Sequence, residues 1–389
     1  MSTVAQRIPF GRPWITDQDQ KAIIEVLNGH VLTHGPEGKA FEAEFAEFLG
    51  DGAHCVSVSS GMAALHLAYL HFGIGPGDEV IVPAQTHTAT AHAVEWVGAR
   101  PVFVDCEPAT GNLTAEAIAA AVTERTRAVS VVHFVGIPCA MPDIVRVAER
   151  HGLRVIEDCA LAVGARYGGR HVGLFGDAGA FSFYPVKHIT TGEGGMFVTR
   201  HASVARAVGV LRAFGVDRSH AERAIPGIYD VPTLGLNYRM GEMPAALGRA
   251  QLRRIDTILA RRRRNFETLA GELRGVEGVR VLASALLEAA SAYYCLSLVL
   301  DDGLASRRNE VVTRLNGAGV GTSVYYPQPV PRMRYYAGKY GYDAERFGEA
   351  ARISDASIAL PVGPHLAPDD PLYIAETVRR VLGEVMHER

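Results

Sequence analysis

Seven short apolar runs, each separated from the next by a longer stretch, constrain the fold of this chain most strongly. Most runs are too short and too rich in β-branched residues to be helices, and Gly, Pro or Asp often follows them. Three of the intervening stretches, Met62–Phe72, Thr114–Ala121 and Pro142–His151, carry apolar residues at helical spacing. The runs are Cys55–Val58, Glu79–Val82, Val102–Val104, Ala128–Val132, Val155–Glu157, Ala180–Phe183 and Met196–Val198.

This alternation of strand and helix predicts an α/β architecture. We expect a large domain with a mainly parallel seven-stranded sheet that is flanked by helices on both faces. Ligands bind to such sheets outside the carboxyl ends of the strands. Polar residues that directly follow an apolar run are therefore the first candidates for function.

The pattern changes beyond Gly241. Residues 243–273 read as one long helix, and its four consecutive arginines, Arg261–Arg264, read as a solvated face rather than as an anion patch. A strand-like run at Tyr294–Leu300 and a helix at Arg307–Ala318 follow. We expect a large domain over residues 1–250 and a smaller α+β C-terminal domain over residues 251–389, entered through the long helix.

Composition narrows the function classes. Lys+Arg number 39 and Asp+Glu 42, so the chain lacks the positive excess that drives nucleic-acid binding. No apolar stretch approaches the roughly 20 residues that a membrane span needs, and the N-terminus shows no secretory signal. The five cysteines have no CxxC spacing, and no metal site is expected. The sequence predicts a cytoplasmic protein without a membrane or nucleic-acid partner.

Two motifs at the ends of predicted strands allow several interpretations. Ser60, Gly61 and Met62 form a turn that opens a helix, which suits either a phosphate site or a simple helix cap. Glu157 and Asp158 end an apolar strand. They suit metal ligands, a Walker-B-like pair, the partner of a buried cation, or a helix cap. The chain contains no GxxxxGK[ST] loop, so nucleotide hydrolysis loses its main support.

Lys187 is the most specific candidate. It follows a predicted strand that ends near Ser182, and it precedes a loop rich in Gly and Thr. Burial lowers the pKa of a lysine, and the neutral amine can attack a carbonyl to form a Schiff base. Pyridoxal phosphate chemistry needs such a lysine, an acidic partner for the pyridine nitrogen and a phosphate cradle. Lys187, Asp158 and the turn at Ser60–Met62 form such a set.

At this point the sequence resembles the DegT/StrS-type nucleotide-sugar aminotransferases, which are pyridoxal phosphate enzymes with the aspartate aminotransferase fold (fold type I). The resemblance extends from about Arg12 to His365, and so many matched segments in one order make chance resemblance unlikely. The segments are Thr33–Pro36, Ser60–Leu67, Gly73–Pro83, Glu157–Ala160, Phe181–Lys187, Thr191–Gly195, Leu236–Met240, Tyr325–Pro327 and Leu360–Pro361 with His365.

The resemblance implies roles for individual residues. Lys187 matches the Schiff-base lysine, which also moves the proton, and Asp158 matches the acid that keeps the pyridine nitrogen protonated. Ser60, Gly61, Met62 and Ser182 match the phosphate site. Asn237 matches a phosphate contact from a second subunit, so we expect a homodimer with shared sites. His87 falls where the family usually stacks an aromatic ring on the cofactor. The segments that border the substrate cleft supply Thr33, Glu193, Tyr326 and His365.

The resemblance also implies a reaction. L-glutamate would convert the cofactor to its pyridoxamine phosphate form, and the amine would pass to a keto group of a nucleotide-linked deoxysugar, in the biosynthesis of amino sugars, surface polysaccharides or glycosides. The alternatives are a sugar dehydratase, or an aminotransferase for a non-nucleotide keto sugar or cyclitol. A non-catalytic regulator is the least favoured. Leu161 departs from the family, which commonly has Gln or His there, near the cofactor hydroxyl.

Overall fold

A central seven-stranded sheet organises the molecule, for which a computed structural model describes residues 8–217, 225 and 227–388. The strands are β1 (His54–Val58), β2 (Glu79–Pro83), β3 (Arg100–Val104), β4 (Thr126–Val132), β5 (Arg154–Asp158), β6 (Arg166–Tyr167), β7 (Arg170–His171), β8 (Ala178–Ser182), β9 (Gly195–Thr199), β10 (Val279–Val281), β11 (Ala289–Ala290), β12 (Leu296–Leu300) and β13 (Ser357–Leu360).

The order of strands in the large sheet is β1-β9-β8-β5-β4-β2-β3. The pairs from β8 to β3 are parallel, whereas β9 runs antiparallel to both β1 and β8. The predicted strands in all seven apolar runs are therefore confirmed, as is the mainly parallel α/β sheet. In the register of the sheet, Asp158 at the end of β5 lies between Val132 of β4 and Ala180 of β8. This places Asp158 at the carboxyl edge, where ligands bind.

Helices cover the sheet and extend beyond it. They are α1 (Asp17–Leu27), α2 (Pro36–Leu49), α3 (Gly61–His71), α4 (Thr88–Trp96), α5 (Ala115–Ala121), α6 (Met141–His151), α7 (Ala202–Arg212), α8 (Glu242–Leu252), α9 (Ile255–Glu272), α10 (Asp302–Ala305), α11 (Arg308–Gly317), α12 (Arg334–Tyr340), α13 (Gly348–Ala356) and α14 (Asp370–His387). Within the described part of the chain, none of these helices combines the length and the apolar character that crossing a bilayer requires.

The prediction of one long helix over residues 243–273 is wrong. The structure has α8 and α9 there, and Arg254 between them leaves the helical conformation with ψ near 20°. The Arg254 guanidinium donates to the fully buried carboxylate of Asp19 at 2.5 Å and to the Trp14 carbonyl at 2.6 Å. This tertiary pairing accompanies the break, and the leucine spacing of the sequence contains no sign of it.

Two small sheets lie beyond the central one, in the orders β10-β12-β13 and β11-β6-β7. The first arises wholly from residues after 278. The second joins β11 to β6 and therefore pairs residues on either side of position 250. Ile8 also pairs with Val320. The division into domains over 1–250 and 251–389 stays a prediction.

Candidate active site

Lys187 lies in a loop that leaves the carboxyl end of β8. The loop returns to β9 through a bond from the Phe183 N–H to the Gly194 carbonyl at 2.9 Å. A second bond, from the Lys187 N–H to the Tyr184 carbonyl at 2.9 Å, closes a tight turn just before the side chain. The backbone around Lys187 is thus fixed on both sides, which suits a group that must be held in position.

The Lys187 amine is removed from bulk water. Its Nζ lies 5.4 Å from the centre of the Tyr294 ring. Burial lowers the pKa of Lys187 from its ordinary value of 10.5 to about 8, although the negative charge of Asp158 opposes the shift. A substantial fraction of the amine is therefore neutral near pH 8, which is the form that can act as a nucleophile or a base.

Asp158 is buried, and its carboxylate accepts two hydrogen bonds. The Thr90 hydroxyl donates to Oδ2 at 2.8 Å, and the Ala160 N–H donates to Oδ1 at 3.0 Å. Because the Thr90 proton is committed to Asp158, the Thr86 hydroxyl must donate to Thr90 Oγ1, at 2.8 Å. This relay orients the carboxylate. Asp158 is therefore suited to stabilise a positive charge on a neighbouring group.

Glu157, the other carboxylate of the pair, points to the opposite face of β5. It is fully buried and accepts from the N–H groups of Gly173, Phe175 and Gly176 at 2.7–2.8 Å, and from His133 Nε2 at 3.1 Å. Burial would raise the pKa of Glu157, but His133 and the backbone N–H groups outweigh it and lower the pKa. Glu157 thus acts as an internal anchor.

Glu157 also belongs to a cluster of residue types that could bind a metal ion. Ligand atoms of His133, Glu157 and Cys159 lie within 4.8 Å of one another. However, His133 Nδ1 accepts from the Cys139 N–H at 3.2 Å, so Nε2 carries the proton that it donates to Glu157. Both imidazole nitrogens and the carboxylate are therefore engaged. We therefore assign a structural role to this cluster, rather than metal binding.

The turn before α3 packs tightly against the end of β9. Ser60 caps α3 by accepting from the Ala63 N–H at 3.1 Å, which confirms the cap interpretation of this turn. A Cβ atom at Gly195 would lie 2.5 Å from the Ser60 carbonyl, so only glycine permits this contact. A Cβ atom at Gly61 would lie 3.0 Å from Cβ of Ser182. The start of α3 and the side chain of Ser182 are thus close neighbours, an arrangement suited to an anion.

His87 and Tyr326 lie beside the Asp158–Lys187 pair. Their rings meet edge to face, with centroids 5.6 Å apart. Desolvation lowers the pKa of His87, and the positive charge of Lys187 lowers it further, while Asp158 acts in the opposite direction. Tyr326 is buried, and burial raises its pKa, with Tyr325 and Asp158 adding to the effect. The structure therefore brings four predicted site residues, Asp158, Lys187, His87 and Tyr326, into one electrostatic neighbourhood.

The remaining predicted site residues are exposed or half-buried. Thr33, Glu193 and Asn237 are exposed in the single chain. Asn237 Oδ1 accepts from Arg239 Nε at 3.1 Å. His365 is half-buried, and its Nε2 donates to the Pro9 carbonyl at 2.9 Å. Their roles stay predictions.

Leu161, the departure from the family pattern, is buried in the main hydrophobic core. An apolar side chain there has no group with which to tune an oxygen of a ligand.

Sequence reasoning missed Thr90, Thr86 and Tyr294. Thr86 and Thr90 are four residues apart around the start of α4, a spacing that predicts neighbouring side chains. Their acceptor, Asp158, lies 68 residues further along the chain, so the pattern alone could not show what they bind. Tyr294 precedes β12 and shows no motif.

Comparison with known proteins identifies the class. The profile of the DegT/DnrJ/EryC1/StrS aminotransferase family matches residues 13–379. The chain belongs to this family, and it is a sugar aminotransferase with the fold of pyridoxal phosphate-dependent transferases.

Individual relatives are similar over nearly their whole length. GDP-perosamine synthase of Caulobacter vibrioides is 40% identical, over 92% of this chain and 94% of the relative. The dTDP-3-amino-3,4,6-trideoxy-alpha-D-glucose transaminase of Streptomyces venezuelae is 35% identical, over 92% and 90%. Among solved structures, Spr1654 of Streptococcus pneumoniae in its PMP form has a TM-score of 0.92 at 27% identity, covering 97% of this chain and 100% of that one.

The Thr90–Asp158 bond generates a first prediction. Thr90→Val removes the donor and should reduce transamination turnover by about 10- to 100-fold, because a hydrogen bond to a charged group is lost. Thr90→Ser keeps the hydroxyl and should retain most of the activity. Turnover would be measured for all three proteins with saturating substrates. Equal losses in the Val and Ser variants would contradict the prediction, because the Ser variant keeps the hydroxyl that donates to Asp158.

The pKa of Lys187 generates a second prediction. Because folding lowers this pKa to about 8, the unfolded chain binds the additional proton between pH 8 and 10.5, and the contribution of Lys187 to stability rises across that window. Lys187→Met should therefore stabilise the cofactor-free protein at pH 7, and the gain should shrink by pH 10. Urea unfolding at both pH values measures this difference. Lys21→Met, on the exposed surface, is the control. A gain that is equal at both pH values would contradict the assignment.

Proposed function

We propose that the protein transfers the amino group of L-glutamate to a keto group of a nucleotide-linked deoxysugar, in the biosynthesis of amino sugars for polysaccharides or glycosides. The observation that carries the proposal is the neutralisable Lys187 amine beside the Asp158 carboxylate at the carboxyl edge of the sheet. The names of two relatives, which refer to GDP- and dTDP-linked amino sugars, support an acceptor of this class.

The residues present fit pyridoxal phosphate. Gly195 and Gly61 leave room where a Cβ atom would crowd the turn before α3, so the turn and Ser182 form a cradle for a phosphate. Lys187 offers an amine for the aldehyde, and Asp158 offers a carboxylate for the ring nitrogen. His87 keeps an exposed ring that can stack. When bound, the cofactor supplies the electron sink for carbanion chemistry, and in its pyridoxamine form it carries the amine between the two substrates.

The protein's own residues would then supply binding and proton transfer. Nζ of Lys187, with a pKa of about 8, would accept the proton from the α-carbon of the donor and later supply one to the new amine-bearing carbon. Asp158, held by Thr90 and Ala160, would accept from the ring nitrogen and keep a proton there. Tyr326 and His365, with Thr33 and Glu193, would border the acceptor.

Lys187→Ala should abolish turnover and leave the fold intact, and this is the third prediction. The wild-type protein loaded with pyridoxal phosphate should show a visible absorption band that L-glutamate bleaches, whereas the variant should show no such band. Mass spectrometry of the sugar product distinguishes amination, which replaces oxygen by nitrogen, from dehydration, which removes water. A band that persists with glutamate would overturn the donor, and loss of water would overturn the transfer.

We further propose a homodimer with shared active sites. Asn237, the predicted phosphate contact from a second subunit, is exposed in the single chain, and apolar side chains near it in sequence are also exposed. Leu234 is 91% exposed, Ile228 60% and Phe214 48%. Exposed apolar groups of this kind are typical of protein interfaces.

The fourth prediction concerns this assembly. Light scattering should give twice the mass of one chain. Mixing Lys187→Ala with Asn237→Asp should restore activity, because one of the two sites in each mixed dimer would contain both native residues. A monomer with full activity would contradict the proposal.

A further inference from the structure

The segment that carries Asn237 lies between the end of α7 and the end of β1. The Tyr238 N–H donates to the Arg212 carbonyl, at the end of α7, at 3.0 Å. The Tyr238 carbonyl accepts from the Ser59 N–H, just after β1, at 2.8 Å. Asn237 itself forms an isolated bridge with Ala213 and belongs to no ladder. The position of Asn237 therefore depends on where the ends of α7 and β1 lie relative to each other.

The side chain of Arg212 ties α7 to β1. Its Nη1 lies 2.6 Å from the Ser57 carbonyl and 3.1 Å from the Ser57 hydroxyl. It also donates to Oε1 of Glu42, in α2, at 2.5 Å. The same oxygen of Glu42 accepts from the Ser57 N–H at 2.9 Å and from its hydroxyl at 2.8 Å. Since β1 is an edge strand, this ion pair satisfies the main-chain groups of Ser57 that no neighbouring strand reaches.

The Glu42–Arg212 ion pair is largely shielded from water. The two side chains are 21% and 20% exposed, and Nε of Arg212 is buried without a hydrogen-bond partner among the described residues. Removing one charge from such a pair leaves the other poorly compensated. The guanidinium would then no longer be held against β1, and the end of α7 would lose its side-chain link to the sheet.

The Asn237 amide has donors available for a group outside the chain. Its Oδ1 accepts from Nε of Arg239 at 3.1 Å, so the two donors of Nδ2 are left for another partner. Cζ of Arg239 lies 4.8 Å from the centre of the Phe214 ring, which steadies the guanidinium. An exposed amide donor beside a guanidinium suits a phosphate oxygen.

We propose that the Glu42–Arg212 ion pair positions Asn237 for the active site of the partner subunit. The inference rests on the proposed function and on the proposed homodimer, in which Asn237 contacts the cofactor phosphate across the interface. Glu42 holds the guanidinium of Arg212, and the carbonyl of Arg212 holds Tyr238, the neighbour of Asn237. The two charged residues are therefore positioning residues that touch neither cofactor nor substrate.

The phosphate turn of the same chain has supports of its own. The turn follows β1, whose ladder with β9 pairs Val58 with Gly195. Ser60 also caps α3 through the Ala63 N–H at 3.1 Å. The Asn237 segment has only main-chain bonds to α7 and to Ser59, beside isolated bridges. Loss of the ion pair should thus weaken the partner's site more than the site in its own chain.

The test, our fifth prediction, uses two heterodimers purified through a different affinity tag on each subunit. Each heterodimer contains one Lys187→Ala subunit, so only one site can form the visible absorption band with pyridoxal phosphate. In the first, Glu42→Gln lies in the same subunit as Lys187→Ala, and the intact Lys187 site receives Asn237 from that subunit. In the second, Glu42→Gln lies in the other subunit, and the intact site receives Asn237 from a subunit with the native ion pair.

The first heterodimer should bind pyridoxal phosphate about tenfold more weakly than a heterodimer with Lys187→Ala alone, because a hydrogen bond to a charged phosphate is lost. The second should bind it within about twofold of that reference. Titration of the visible band gives both dissociation constants. Glu42→Gln keeps the shape and an acceptor oxygen for Ser57, and removes only the charge that holds Arg212.

Glu44→Gln is the matched control. Glu44 lies on the same helix and also forms a partly buried ion pair, but with Arg249, at 2.5 Å. In either heterodimer this variant should leave the dissociation constant unchanged. If Glu42→Gln fails to fold, Arg212→Lys takes its place, and it should give the same order of affinities with a smaller difference, because lysine keeps the charge without the planar fork.

The possible outcomes separate the inference from the proposals beneath it. Equal weakening in both heterodimers would show a general structural role and overturn the inference. Weakening only in the second would mean that the ion pair acts on its own chain's turn, which also overturns it. A loss of the same size with Glu44→Gln would do so as well. A monomeric wild-type protein would overturn the shared site itself, and light scattering detects this before any heterodimer is made.

Discussion

The buried carboxylate of Glu157 fixes the geometry on which the candidate site depends. It accepts from three backbone N–H groups of the segment 173–176 and from His133, and so ties the end of β5 to two neighbouring parts of the chain. Successive residues of a strand face opposite sides. With Glu157 anchored on one face, Asp158 must point to the other, where Thr90 and Lys187 lie.

Two cationic side chains, Lys187 and Arg262, are affected differently by burial in this part of the molecule. Asp158 is the carboxylate that acts on Lys187, and the centre of the Tyr294 ring lies 5.4 Å from Nζ of Lys187 and 6.0 Å from Cζ of Arg262. The low polarity of this environment makes the Lys187 amine easier to deprotonate, while the guanidinium of Arg262 keeps its charge. The same burial therefore leaves one amine that is partly neutral near pH 8 and one guanidinium that stays charged there.

The sequence predicted the central sheet well, because each strand is a short apolar run that is largely buried in the fold. It failed between α8 and α9, where apolar spacing continues through Arg254 although the helix does not. It also misjudged Arg262, since a run of four arginines resembles a solvated face. In both cases the side chain's partner lies elsewhere in the chain, at Asp19 or at Tyr294, and periodicity reports only local order.

By itself, the sequence determined the seven strands of the central sheet, the placement of Asp158 at the end of a strand and of Lys187 in the loop after another, and the family. These features follow from residue types and spacings that are local. Only the tertiary structure decided that Glu157 is an anchor, that Thr90 holds Asp158, and that Arg262 is buried with the carbonyls of Tyr293 and Tyr294 as acceptors. Those facts depend on contacts between distant segments, whose free energies come from burial and hydrogen bonding in the assembled core.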